Sequence, residues 1–374
     1  MIVHFDCRHF RGDRPCAPHK TEGVHCDGCP FYDPIRFRIL VVKLDAVGDV
    51  LRTTCILPGL RATHPGARID WITREDAVPL FHGNPLVDRT IPFPGSAWSD
   101  LMAIEYDLVI NLDTSPESAR IGALARAGKR IGYGFDPLGH IYPWNKEAVA
   151  WFEMGLFDDL KMRNRKTYQQ IVSEICGLEG QDCSIHLYLS ETEKKWARAW
   201  LVQKGLVPGK RVIGLNTGAG KRWEHKKWTE EGFVELIRLL RSSPKSGASP
   251  PQILLLGGPE EGDRNRRLAN RVGEYVVDAG TGHGLREFFS LVDLCDLLVT
   301  GDTMALHVAV ALGKKVVAFF GPTSAAEIEL YGRGRKISSD APCVGCYRTN
   351  CDVSPTCMER ISAMEAFRAI QELL

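Results

Sequence analysis

No apolar run in this sequence approaches the roughly 18 residues needed to cross a bilayer, so no membrane-spanning segment is expected. Neither charge is in surplus: 47 Lys and Arg stand against 46 Asp and Glu, a formal charge of +1. A whole-molecule basic field for nucleic acid is therefore absent, and no nucleic-acid partner is expected. The opening residues MIVHFDCRHFRGDR put charges and a Cys where an export signal would need an apolar core, which points to a cytoplasmic protein. The loop after the first apolar stretch, LDAVGDV, is not GxGxxG, so a dinucleotide fingerprint is missing. A Walker A loop is excluded by spacing: five residues rather than four separate Gly214 from Gly220, and Arg222 replaces the required Ser or Thr. Short-period repeats and long low-complexity tracts are also missing.

What remains is a chain of 374 residues, 44% hydrophobic and 25% charged, long enough for two to three domains. Cysteine is plentiful, with 12 residues. Cys55 and Cys295 lie in apolar stretches and read as small buried hydrophobes. Eight others cluster near the ends: Cys7, Cys16, Cys26 and Cys29, then Cys343, Cys346, Cys351 and Cys357. In a reducing compartment such clusters suggest metal before disulfide.

Residues 1–36 are rich in Cys, His, Pro, Asp and Arg and have no helical or strand periodicity. They form a Cys-rich extension that cannot bury a core of its own. From Phe37 the pattern changes. Strands are expected over 38–44, 67–73, 90–93 and 107–112, with a helix from about Gly48 to His64. Near-continuous apolar strands separated by helices indicate a parallel sheet covered on both faces. Ser190 with Glu193 makes a capping box for a helix that Gly205 closes. A second series of strands then follows over 211–216, 252–258, 275–280, 295–302 and 315–323, with helices over 228–241, 260–272, 284–292 and 303–312. Two consecutive β/α series imply two doubly wound Rossmann-like domains, 37–189 and 190–374, facing a cleft. The turn-rich segment 242–251 falls inside the second series and reads as a surface loop.

In such sheets ligands sit outside the carboxyl ends of the strands, which brings four loops forward. Asp49 in LDAVGDV is either a first-turn helix charge or a carboxylate facing the cleft as general base. In NTGAGKRWEHKKW (216–228), Gly218 and Gly220 allow close backbone approach. Thr217, Lys221, Arg222, Lys226 and Lys227 offer contacts suited to a diphosphate. Glu260 and Glu261 in GGPEEGDR either accept hydrogen bonds from ribose hydroxyls or are plain helix charges. In TGDTMALHVAVALGKKVVAFFGPT (300–323), Gly301, Asp302 and Thr303 open a helix whose N–H groups can hold phosphate oxygens, and His307 shares a face with Thr303.

In order and spacing, KLDAVGDVLRTTCILPGL, NTGAG…KKW, LGGPEE and the 300–323 segment resemble glycosyltransferase family 9, the heptosyltransferases of lipopolysaccharide core assembly. The similarity spans roughly 37–374, and CVGCYRTNCDVSPTCM also looks like a cysteine pattern of the family. The resemblance implies a glycosyltransferase B fold and inverting transfer of a heptose from ADP-heptose to a sugar hydroxyl, without a catalytic metal. It implies Asp49 as general base. The ADP-sugar donor would meet Thr217, Gly218, Lys226, Glu260 or Glu261, Asp302, Thr303 and His307. Family members commonly have Gly after the Asp-Thr pair, where this chain has Met304. A lipid-linked acceptor would place the enzyme against the inner membrane, with Lys43 and Arg52 as acceptor-binding cations.

The extension is not explained by the resemblance. Its spacing, Cys7-x8-Cys16-x9-Cys26-x2-Cys29, suits a tetrahedral structural site for zinc, or for iron or an iron–sulfur cluster, with His4, His9, His19 and His25 as substitutes. The C-terminal four form a second candidate set. Two alternatives stand beside the heptosyltransferase reading: a transferase using another nucleoside-diphosphate sugar, and a metal-stabilised interaction module on a nucleotide-binding body.

Overall fold

The protein is described by a computed structural model covering residues 2–95, 97–220, 223–242 and 249–374. Lys221, Arg222 and most of the loop read over 242–251 lie outside the described residues. Two six-stranded sheets carry the fold. The first comprises β1 (Arg38–Val42), β2 (Arg68–Arg74), β3 (Arg89–Phe93), β4 (Glu105–Asn111), β5 (Arg126–Phe135) and β6 (Ile141–Pro143). The second comprises β7 (Val212–Asn216), β8 (Gln252–Leu256), β9 (Val277–Asp278), β10 (Leu297–Gly301), β11 (Lys315–Phe320) and β12 (Gly334–Ser338). Their orders, β3-β2-β1-β4-β5-β6 and β9-β8-β7-β10-β11-β12, are the same doubly wound topology repeated. Every pairing is parallel except β5 with β6.

Helices on both faces explain why the central strands are apolar throughout. In β1 all residues after Arg38 are buried, and β7 and β10 are buried along their whole length. In each sheet the order reverses between the first and fourth strands, which opens a crevice at their carboxyl ends. The two crevices face one another.

The helix expected from Gly48 to His64 is broken. Val47–Thr53 is α-helical, Thr54–Ile56 is a tighter 3-10 turn, and Leu57–Thr63 starts a new helix with Pro58 in its first turn. Proline has no N–H to continue the ladder, so it opens a helix instead of extending one. The strand expected over 275–280 contracts to two residues at the sheet edge.

The halves also meet directly. Helix Val47–Thr53 packs on helix Met304–Ala311, and one buried apolar cluster runs from Ile39 of β1 to Leu298 of β10. Arg286, on helix Leu285–Asp293, donates to the Glu193 carboxylate at 2.7 and 2.8 Å. Its other guanidinium hydrogens reach the carbonyls of Tyr188 at 2.6 Å and Pro79 at 3.2 Å. It thereby ties the first domain to the second. Among the described residues, no helix is long and apolar enough to cross a membrane.

Candidate active site

A cavity of about 760 Å³ fills the space between the two crevices. Its first-domain wall is the loop after β1. Asp49 is half-buried there in the first turn of helix Val47–Thr53 and pairs with Arg52 Nη2 at 2.8 Å, one turn further on. Arg52 is partly buried, with its guanidinium stacked 3.9 Å from the Tyr168 ring centroid. Burial opposes its charge, but the carboxylate of Asp49 and the neighbouring acids hold it protonated above its ordinary value.

The second-domain wall is built by the loops after β7, β8 and β10. Trp228 is the anchor of the basic loop: it is buried against Phe233 and Phe319, and its indole N–H donates to the Ile361 carbonyl at 3.0 Å. This fixes the turn that carries Lys226, whose Nζ donates to Asp302 Oδ2 at 3.1 Å. Burial raises the proton affinity of Asp302, but the charge of Lys226, the His307 ring and the Thr323 hydroxyl outweigh it and keep the carboxyl below its usual range. Thr303 is the N-cap of helix Met304–Ala311, with no side-chain cap bond, and its hydroxyl lies 3.3 Å from Asn216 Nδ2. The first-turn N–H groups thus open toward the cavity. Burial, reinforced by the charge of Arg52, lowers the His307 pKa to about 4, so its imidazole is neutral near pH 7.

Gly48 makes the close approach of the two walls possible. A Cβ built on it would lie 3.1 Å from His307 Cδ2 and 3.2 Å from Met304 Cα. Asp49 is therefore held opposite the Asp302–Thr303–His307 turn by backbone packing.

Asp49, Arg52, Gly218, Lys226, Glu260, Asp302, Thr303 and His307 all line this cavity. Three expected contacts do not, among them Lys227, whose ammonium donates to Glu224 at 2.7 Å. Lys43 is buried beneath the β1 loop, where its ammonium donates to Asp45 at 2.9 Å and to the Asp113 carboxylate. It neutralises that acid pair and is not available to an acceptor. Burial and the adjacent Asp45 carboxylate raise Asp113 to about 7 despite Lys43, while Lys43 holds Asp45 below its ordinary value. Thr217 is buried too, its hydroxyl donating to Asn265.

The acid pair also separates. The buried Glu261 carboxylate accepts the N–H groups of Gly258 at 3.0 Å and Gly220 at 3.3 Å, which ties two glycine loops together. A Cβ on Gly218 would stand 2.2 Å from its carboxyl carbon. Glu260 is exposed at the cavity edge.

Lining residues that no motif loop marks include Trp151, Lys161, Glu327 and Tyr347. The Tyr347 hydroxyl donates to the buried Glu327 at 2.6 Å, and Lys161 Nζ lies 3.6 Å from the ring centroid. Tyr347 sits inside CVGCYRTNC, a segment whose visible pattern is its cysteines. All twelve cysteines are free of disulfides, and Cys55 and Cys295 are buried. Burial, with Cys346, Cys351 and Cys343 adjacent, raises the Cys357 thiol. The N-terminal four line a different cavity.

The profile of glycosyltransferase family 9 (heptosyltransferase) matches residues 95–356. Lipopolysaccharide heptosyltransferase 1 of Pseudomonas aeruginosa is 25% identical over 346 residues, covering 85% of this chain and 88% of its own. Lipopolysaccharide heptosyltransferase 2 of Escherichia coli K12 is 26% identical over 322 residues, covering 77% and 83%. Among solved structures, a family 9 glycosyltransferase from Veillonella parvula superposes with a TM-score of 0.73 at 19% identity, covering 91% of this chain and 97% of that one. The ADP-heptose lipopolysaccharide heptosyltransferase II of E. coli gives 0.64 at 20% identity, covering 90% and 98%.

Proposed function

Since the chain belongs to glycosyltransferase family 9 and is a glycosyltransferase, we propose that it moves a heptose from ADP-heptose to a sugar hydroxyl of a lipopolysaccharide-core-type acceptor, with inversion. The observation that carries this reading is the opposition across one cavity of a carboxylate, Asp49, and an anion-suited wall of Lys226, the helix N-terminus at Met304 and neutral His307. Asp49 takes the proton of the acceptor hydroxyl as its oxygen bonds to the anomeric carbon. The bond from that carbon to the diphosphate oxygen breaks on the opposite face, and its electron pair leaves with ADP. Charge developing on the diphosphate is met by the Lys226 ammonium and by backbone N–H groups, which supply electrostatic stabilisation without a catalytic metal.

Glu260, at the cavity edge, is assigned to the adenosine ribose, and Arg52 to the acceptor side. A lipid-linked acceptor would hold the enzyme at the cytoplasmic face of the inner membrane, a contact that flotation with anionic vesicles tests. Cys343, Cys346, Cys351 and Cys357 are a soft donor set by their chemistry, but as placed they do not converge on an ion.

Calorimetric titration with ADP, UDP and GDP tests the donor. ADP is expected to bind selectively, and Lys226→Ala to weaken it roughly ten- to a hundredfold, the worth of a charge-assisted hydrogen bond. Preference for UDP or GDP would keep the transferase and replace the sugar donor. Asp49→Asn is expected to keep ADP affinity while turnover of ADP-heptose falls about 10²–10⁴-fold. Near-normal turnover would remove Asp49 from the role of base.

A further inference from the structure

We propose that Cys7, Cys16, Cys26 and Cys29 bind one structural zinc ion that staples the N-terminal extension onto the first domain, at the end of the sheet away from the active site. The four cysteines, brought from three separate turns, line a single cavity of about 270 Å³. Cys26 and Cys29 flank a tight turn in which the Cys29 N–H donates to the Cys26 carbonyl at 3.2 Å and Gly28 sits at φ +68°, a conformation that favours glycine. Cys7 follows a turn closed by its own N–H on the His4 carbonyl and bridges Pro34, so it joins the start of the extension to its end. Cys16 precedes the short helix Ala17–Glu22.

The need for a staple is physical. None of the described residues of 2–36 is buried, so no apolar core orders the segment. Cross-linking by metal supplies the missing order, because the free energy of binding becomes free energy of folding. As placed, no group of three or more His, Cys, Asp or Glu among the described residues could hold an ion. Binding would draw the four cysteines that line one cavity onto a common centre, at zinc–sulfur distances of about 2.3 Å. Among the nearby histidines, His19 Nδ1 lies 2.8 Å from the Val24 carbonyl oxygen and the His4 ring stacks on Tyr32.

The docking contacts locate the staple. Arg8 donates to Asp33 at 2.8 Å within the extension and to the Gly66 carbonyl at 2.8 Å, and it also pairs with Asp88. Asp88 is shared with Arg61 at 2.7 Å. Gly66 and Asp88 immediately precede β2 and β3, so the extension meets the amino ends of the strands, whereas Asp49 lies beyond a carboxyl end. The ion is therefore structural, and its loss should leave the catalytic cavity intact.

Elemental analysis of the full, untagged chain, purified reduced and without chelator, tests this against the double variant Cys26→Ser/Cys29→Ser. The expected result is one zinc fewer per chain in the variant, faster proteolysis within residues 1–36, and ADP affinity unchanged within about twofold. Cobalt exchanged into the wild type should show thiolate charge-transfer bands that diminish in the variant. Cys29→His, which restores a donor, should regain the metal. No zinc in the wild type would overturn the proposal. So would the same zinc content in the double variant with loss only in Cys343→Ser/Cys346→Ser, a Cys26–Cys29 disulfide, or iron in place of zinc.

Discussion

His307 shows what burial does to a single residue. Its imidazole, with a pKa near 4 in the fold against an ordinary 6.5, must stay neutral. The unfolded chain binds that proton more readily, so stability is complete above about pH 6.5 and falls as the pH drops toward 4. Asp113 runs the opposite way: raised to about 7, it favours the fold at low pH and loses that contribution as the pH rises. Only a difference between variants isolates the histidine. Melting temperatures at pH 7.5 and 5 should fall less in His307→Gln than in the wild type, by an amount corresponding to roughly 2 kcal/mol. An identical drop in both would mean that the ring is not held neutral. Asp49, Lys226, Asp302 and His307 were legible because each lies in a motif at a strand end. Lys43 was not: one residue beyond β1, its burial under Asp113 depends on a contact from β4, some 70 positions along the chain.

At the scale of elements, the fit of helix Val47–Thr53 to helix Met304–Ala311 explains why Met304 is tolerated after the Asp-Thr pair. Gly48 has no side chain, and Met304 occupies that room. Gly48→Ala is expected to lower kcat/KM at least several-fold and to destabilise by about 1–3 kcal/mol, the usual range for overpacking. Met304→Gly leaves His307 Cδ2 and the backbone Cα at 304 in place and should restore little of either. Full recovery in the double variant would put the clash on the Met304 side chain instead. The central strands could be read from the sequence because burial on both faces leaves an unbroken apolar run. β12, GRKIS, could not be, since an edge strand protects itself with charge. β5 carries three glycines and three exposed residues, which hid it as well. The last helix, Ala363–Leu373, did leave a sign in Ser362, whose hydroxyl accepts the Glu365 N–H at 3.2 Å.

For the whole molecule, the question is what holds two similar halves in register. Arg286 is the polar part of the answer, and it keeps Glu193 low, at about 2, chiefly through their hydrogen bond. Glu193 therefore contributes to the fold above its ordinary range near pH 4.5 and loses that contribution as the pH falls toward 2. Arg286→Ala should lower the melting temperature at pH 7 by a few degrees, since about 1 kcal/mol corresponds to 2–4 °C in domains of 150–250 residues. No change would assign the register to apolar packing alone. That packing, running unbroken from β1 to β10, makes the halves poor interchangeable parts despite their repeated topology. A chimaera joined near residue 190 would pair Gly48 with a foreign residue at position 304 and Pro79 with a foreign partner for its carbonyl. Recombination between relatives should therefore succeed only when both sides of the seam are exchanged together, and the two halves of this enzyme should drift through evolution as one unit.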